Sequence, residues 1–187
     1  MNSEEPEPPY THFVSARPEI ADIQRLVEQI KGKLSDCPIN CPIKSIKWAR
    51  EISRHITILA FKPGEIDNTG DDFLESMGEY EVRFECKKLK VFNGNLVVTV
   101  EGESFQELRD QCVEKINGGN YDERFQPHIS LGTIRCPCWK PFWNDAMLEE
   151  VFPGNLEINS HCTTLAIALM RPFRLIQTKK LPQTVTI

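Results

Sequence analysis

Two imidazoles stand in closely similar settings 73 residues apart, His55 in "SRHITILAF" and His128 in "FQPHISLGTI" (55 to 128). Each is followed two positions later by a hydroxyl, Thr57 in the first copy and Ser130 in the second. On a strand, residues two apart share a face. Each histidine therefore sides with its hydroxyl, while Ile56, Ile58, Ile129 and Leu131 point the other way. Such strands have one dry side and one reactive side. If the two strands face each other, two imidazoles and two hydroxyls converge on one cleft. That set suits attack of a ribose hydroxyl on a neighbouring phosphodiester. A neutral histidine would take the hydroxyl proton, a protonated one would supply the departing oxygen, and the hydroxyls would hold the non-bridging phosphate oxygens. Imidazole fits both tasks because its reference pKa of about 6.5 lets both forms coexist near neutrality. This chemistry asks for no metal and no cofactor.

The elements that must position these residues follow from periodicity. "YTHFVSA" (Tyr10 to Ala16) reads as a strand, and Ile20, Ile23, Leu26, Val27, Ile30 and Leu34 recur at helical spacing after it. That stripe is what a helix covering a sheet needs, so docking of a partner helix is the weaker reading of it. "SDCPINCP" (Ser35 to Pro42) closes the helix, and "IKSIKWARE" leads into the His55 strand. A short helix in "DDFLESMG" precedes the strands "YEVRFECKKLKVF" (Tyr80 to Phe92) and "NLVVTVEG" (Asn95 to Gly102), joined by an Asn93-Gly94 hairpin turn. Ser104 is placed to cap a helix carrying Phe105, Leu108, Cys112, Val113 and Ile116 on one face, stopped at Gly118-Gly119. The His128 strand follows, then a short helix in "WNDAMLEEVF" and strands in "TTLAIALMRPF" and "RLIQTKKL". Strand, helix, reactive strand thus occurs twice, which predicts an α+β fold built from two similar halves.

Composition bounds the rest. The chain has 187 residues, 40% hydrophobic and 26% charged, with no long apolar run, so no membrane partner is expected. Residues 1–9, "MNSEEPEPP", read as a disordered acidic and proline-rich leader without a secretory signal, and residues 10–187 as one domain acting as a monomer. Three of the 27 acidic residues stand in that leader, leaving 24 against 22 basic ones. Such balance disfavours a long duplex and leaves room for a short oligonucleotide in a pocket with a few local cations. Seven cysteines without a signal peptide point to a reduced, cytoplasmic setting.

Other candidates are weaker. Phe92, Phe125, Trp139 and Trp143 are available to stack a base. Arg54 and Arg135 flank the reactive strands, but their parity places them off the histidine face, with Arg54 on the surface. Cys136-x-Cys138 and the turn-interrupted Cys37 and Cys41 have poor zinc spacing, so no metal site is expected. His12 and His161 read as structural or surface residues.

The motifs "HITI" and "HISL" resemble the paired His-x-Thr/Ser-x motifs of the 2H phosphoesterase superfamily. "YTHFVSA", "LKVFNGNLVVTVEG" and "RFQPHISLG" bring the chain nearest the branch with the A-kinase anchoring protein gamma central domain and the viral 2′,5′-phosphodiesterases of coronaviruses and rotaviruses. The resemblance spans roughly Tyr10 to Arg171, specific in the two motifs and generic elsewhere. It implies a bilobal fold of two antiparallel sheets related by a pseudo-twofold axis, helices outside and a cleft between. It also implies metal-independent cleavage of RNA-like phosphodiesters, with His55 and His128 as the acid-base pair and Thr57 and Ser130 binding phosphate. In that branch the substrate is 2′,5′-oligoadenylate, the activator of the antiviral ribonuclease L. Other branches act on RNA ends or cyclic phosphates, and a non-catalytic nucleotide-binding or interaction module remains the alternative.

Overall fold

The computed structural model describes residues 10–36, 45–62, 72–116, 125–135, 143–169 and 173–183. Its elements run β1 (His12–Pro18), α1 (Ile20–Ser35), β2 (Ile46–Trp48), β3 (Ile56–Phe61), α2 (Asp72–Ser76), β4 (Arg83–Phe92) and β5 (Asn95–Glu101), then α3 (Ser104–Lys115), β6 (His128–Ile134), α4 (Asp145–Val151), β7 (Ile158–Leu169) and β8 (Arg174–Lys180). This is the α+β arrangement expected, and every strand pair is antiparallel.

The strands fall into two sets, β3-β1-β7-β8 and β2-β6-β5-β4. Hydrogen bonding joins the sets at two places. One is a single pair, Ile56 with Ile129, the residues directly after the two histidines. The other runs Arg83 to Cys86 against His161 to Ile158. Within the sets, β1 lies between β3 and β7 as β5 lies between β6 and β4. The units β1-α1-β3 and β5-α3-β6 therefore occupy corresponding positions, and the two reactive strands meet where the halves join.

Local chemistry accounts for these elements. Ile23, Leu26, Val27, Ile30 and Leu34 of α1 are at most 1% exposed, and burying each contributes roughly 2 kcal/mol. Ile20, which opens the stripe in the sequence, is 49% exposed because the first helical position lies before the turn that meets the sheet. The Glu19 carboxylate accepts from the Ala21 backbone N–H and so caps the helix. Ser104 does not cap α3. Glu103 holds that position, and the Ser104 hydroxyl instead donates to the Glu81 carbonyl. The Asn93-Gly94 turn forms as expected, with φ of 47° and 74°, the left-handed pair that matches the twist of β4 and β5.

Strand β2 lies in a stretch that reads as a linker. It pairs with β6 from Ile46 through Trp48, where Trp48 faces Gly132. A Cβ at position 132 would lie 2.8 Å from the Lys47 carbonyl oxygen, so only glycine admits this approach. Arg54 is also corrected. It is 7% exposed, and its guanidinium donates to the Gln24 side chain and the Ala49 carbonyl, which turns an expected surface cation into a strut between α1 and the entry to β3. The leader, Gly118-Gly119 and the cysteines at 37, 41, 136 and 138 lie outside the described residues. Among the described residues no helix is long and apolar enough to cross a membrane.

Candidate active site

The reactive strands carry their dry faces as parity demands, since Ile56, Ile58, Ile129 and Leu131 are at most 1% exposed. Their other faces open together. His55, Thr57, His128 and Ser130 all line one cavity of about 260 Å³, with Phe13, Val97 and Phe173 among its other walls. Cross-strand pairing sets the floor: Thr57 lies opposite Ser15 of β1, and Ser130 opposite Val97 of β5.

Both imidazoles are braced in the same way. His55 Nδ1 is 2.7 Å from the Ser53 carbonyl oxygen, and His128 Nδ1 is 2.9 Å from that of Gln126, in each case the residue two positions earlier. A carbonyl oxygen only accepts, so each Nδ1 carries the hydrogen and donates it. Nε2 is then the working nitrogen of both rings. It bears a lone pair when the ring is neutral and a proton when it is charged. The repeated bond also fixes ring orientation, as outer partners of functional histidines do.

The surroundings of the two rings differ. His55 packs against Phe13 at 4.7 Å and Phe173 at 5.5 Å between centroids, both nearly parallel to it. Those two phenyl rings are 6.2 Å from each other, so the three form a triangular cluster. Burial in it pushes His55 down to about 4; the Ser53 carbonyl opposes this, while the charges of Arg17 and His128 add to it. The His128 Nδ1 hydrogen bond is exposed where that of His55 is part-buried, and among the described residues the one ring neighbour of His128 is Phe92, at 5.6 Å. The His55 imidazole is therefore held neutral at physiological pH.

The stacking candidates separate. Phe92 is 55% exposed and lines the cavity beside His128. Phe125 lines an adjoining cavity of about 560 Å³ that shares Thr57, Phe92, Val97 and His128 with the first, and its ring lies 4.6 Å from the Arg109 guanidinium. Trp143 is corrected to a core residue. It is 4% exposed and its indole N–H donates to the Ser45 hydroxyl, so its face is spent on packing. Trp139 lies outside the described residues. Among the described cysteines, Cys86, Cys112 and Cys162 are buried and free. Of the remaining histidines, His12 accepts from or donates to the Thr11 hydroxyl and His161 contacts Gln183, both outside the cavity.

Phe13 and Phe173 are the site residues that sequence reasoning missed. The signal for Phe13 is its parity with Ser15 on β1, while Phe173 has none, because it arrives from the far end of the chain. A larger cavity of about 680 Å³ lies elsewhere, and the carboxylates of Asp22, Glu81, Glu85, Glu101 and Glu103 on its wall make it a poor host for phosphate.

No family model and no curated protein matches the chain in sequence. Solved structures do match in shape. TT0787 of Thermus thermophilus superposes with a TM-score of 0.59 at 13% identity, over 91% of this chain and 97% of its own. E. coli LigT in complex with ATP gives 0.59 at 12% identity, over 94% and 99%. Its complex with 3′-AMP gives 0.57 at 12% identity, over 94% and 100%. The chain shares their fold. The match runs over nearly the whole length of both partners, so both halves of this chain belong to the common architecture.

Proposed function

We propose that the chain is a phosphodiesterase of the 2H phosphoesterase type that cleaves ribose-linked phosphodiesters by acid-base catalysis from two histidines, with 2′,5′-oligoadenylates as its substrate. The observation that carries the reading is the paired bracing: two imidazoles, each with Nδ1–H given to a carbonyl and with no hydrogen bond at Nε2 among the described residues, share one cavity with two hydroxyls. Support also comes from the neighbours of like fold. One is described as a phosphoesterase, and LigT holds phosphate, ATP and 3′-AMP.

The roles follow from the environments. His55, neutral at physiological pH, serves as the base: its Nε2 takes the proton of the ribose hydroxyl vicinal to the phosphate, and that oxygen forms a bond to phosphorus. His128, more open to water, serves as the acid. Its Nε2–H passes to the departing 5′-oxygen as the P–O bond breaks, leaving a 2′,3′-cyclic phosphate and a free hydroxyl. Thr57 and Ser130 donate to the non-bridging oxygens, whose charge grows as the new bond forms. The linkage preference rests on the motif resemblance, and cleavage of such oligoadenylates would remove the activator of ribonuclease L.

The deciding experiment is turnover of matched 2′,5′- and 3′,5′-linked oligoadenylates in excess EDTA, with His55→Ala and His128→Ala alongside. Chelator-resistant loss of the 2′,5′ substrate, abolished in both variants, is the expected result. Cleavage that survives both substitutions would sink the histidine mechanism. Cleavage of both linkages at equal rates would leave the mechanism and remove the preference.

A further inference from the structure

We infer that Lys90 binds the phosphate next to the scissile one on the leaving-group side, which makes linear oligonucleotides with at least two phosphodiesters the preferred substrates; this deepens the proposed function and rests on it. The first observation is register. Ser130 on β6 pairs with Val97 on β5, and Val97 pairs with Lys90 on β4. Paired residues share a face, so Lys90 belongs to the same row as the proposed phosphate-holding hydroxyl. Two strand spacings put the Lys90 backbone roughly 10 Å from that of Ser130, and the four-carbon stem can return its ammonium part of that distance. The remaining gap is comparable to the spacing of successive phosphates along a nucleotide chain.

The second observation is a path. Beyond His128 the cavity continues along Lys90, Phe92 and Phe125, and a further hollow of about 420 Å³ again has Lys90 and Phe125 on its wall. A chain leaving through the oxygen that His128 protonates would follow that path.

The third is charge. Lys87 pairs with Glu85 and Glu101, and Lys88 with Glu149. Lys90, half-buried on the same strand, makes no ion pair among the described residues. An incoming phosphate would give that ammonium the charge partner its strand neighbours Lys87 and Lys88 already have.

The test uses 2′,5′-linked 3′-deoxyadenosine dimer and trimer, which keep one and two phosphodiesters but lack the attacking hydroxyl. Binding to the whole chain is measured by calorimetry at two salt concentrations, for the native protein and for Lys90→Met, which keeps length and removes charge. The trimer is expected to bind about tenfold more tightly than the dimer. Lys90→Met should erase that advantage, leave the dimer unchanged and lower the trimer's salt slope by about 0.7. Equal loss for dimer and trimer, no loss for either, or no binding by the native protein would each overturn the inference. Turnover of the ordinary 2′,5′ dimer by the native protein, followed in parallel, reports on the proposed function separately, because that substrate has no second phosphate for Lys90 to hold.

Discussion

Replacing Phe173 by alanine removes one of the two phenyl rings packed on His55 and leaves the other, Phe13, which is 1% exposed, in place. Burial is the main reason His55 falls from 6.5 to about 4, a depression of roughly 2.5 units. If the two rings share that burial about equally, Phe173→Ala restores on the order of one unit, or about 1.4 kcal/mol between the protonation states. The acid limb of the rate profile should then move from about 4 toward 5. At pH 5 the neutral fraction of His55 would fall from roughly 0.9 to roughly 0.5, nearly halving the rate, with little change at pH 7. The sign for stability is equally definite. The folded chain prefers neutral His55, so this contribution is fully present above the unfolded value of about 6.5 and is lost as pH falls toward 4. Its ceiling is about 3 kcal/mol, and it should shrink in the variant. The assay is an NMR titration of the His55 ring from pH 3 to 8 beside the pH-rate profile, with the amide spectrum as a check on folding. A native His55 midpoint near 6.5, or a midpoint unmoved in a folded Phe173→Ala protein, would refute the reasoning.

Other outcomes follow from single side chains. Under the proposed mechanism the Thr57 and Ser130 hydroxyls act on charge that grows in the transition state, so Thr57→Ala and Ser130→Ala should each lower kcat by about 100-fold with little change in KM, and Thr57→Ser should retain most activity; a KM effect alone would contradict this. Trp143→Ala should destabilise the fold by about 3–5 kcal/mol in denaturant titrations without altering KM of the folded fraction, whereas Phe92→Ala should raise KM and leave stability within about 0.5 kcal/mol. Gly132→Ala should cost about 1–3 kcal/mol, read as a lower Tm, because the added methyl meets the Lys47 carbonyl at 2.8 Å and forces β2 away from β6; an unchanged Tm would show that β2 yields at no cost.

Much of this protein was legible without coordinates, for a local reason. Parity along "HITI" and "HISL" depends on nothing beyond the pleat of one strand, so the division into a cavity-lining face and a dry face holds in space. The α1 stripe and the Asn93-Gly94 turn are likewise short-range statements, and both appear as read apart from the exposed Ile20. The repeated order of elements was also enough to expect two similar halves.

What only the tertiary structure decided depends on residues far apart in the chain. The depressed pKa of His55 comes from burial against Phe13 and Phe173, which approach it from near opposite ends of the sequence. Arg54 leaves the surface because the Gln24 side chain and the Ala49 carbonyl accept from its two terminal nitrogens, and Trp143 sits inside because Ser45 accepts from its indole N–H. Strand β2 exists because Gly132 leaves it room, a fact about an interstrand gap rather than about either segment. Residue types and their spacing determined which side chains share a face; packing determined that His55 is the one desolvated between two phenyl rings.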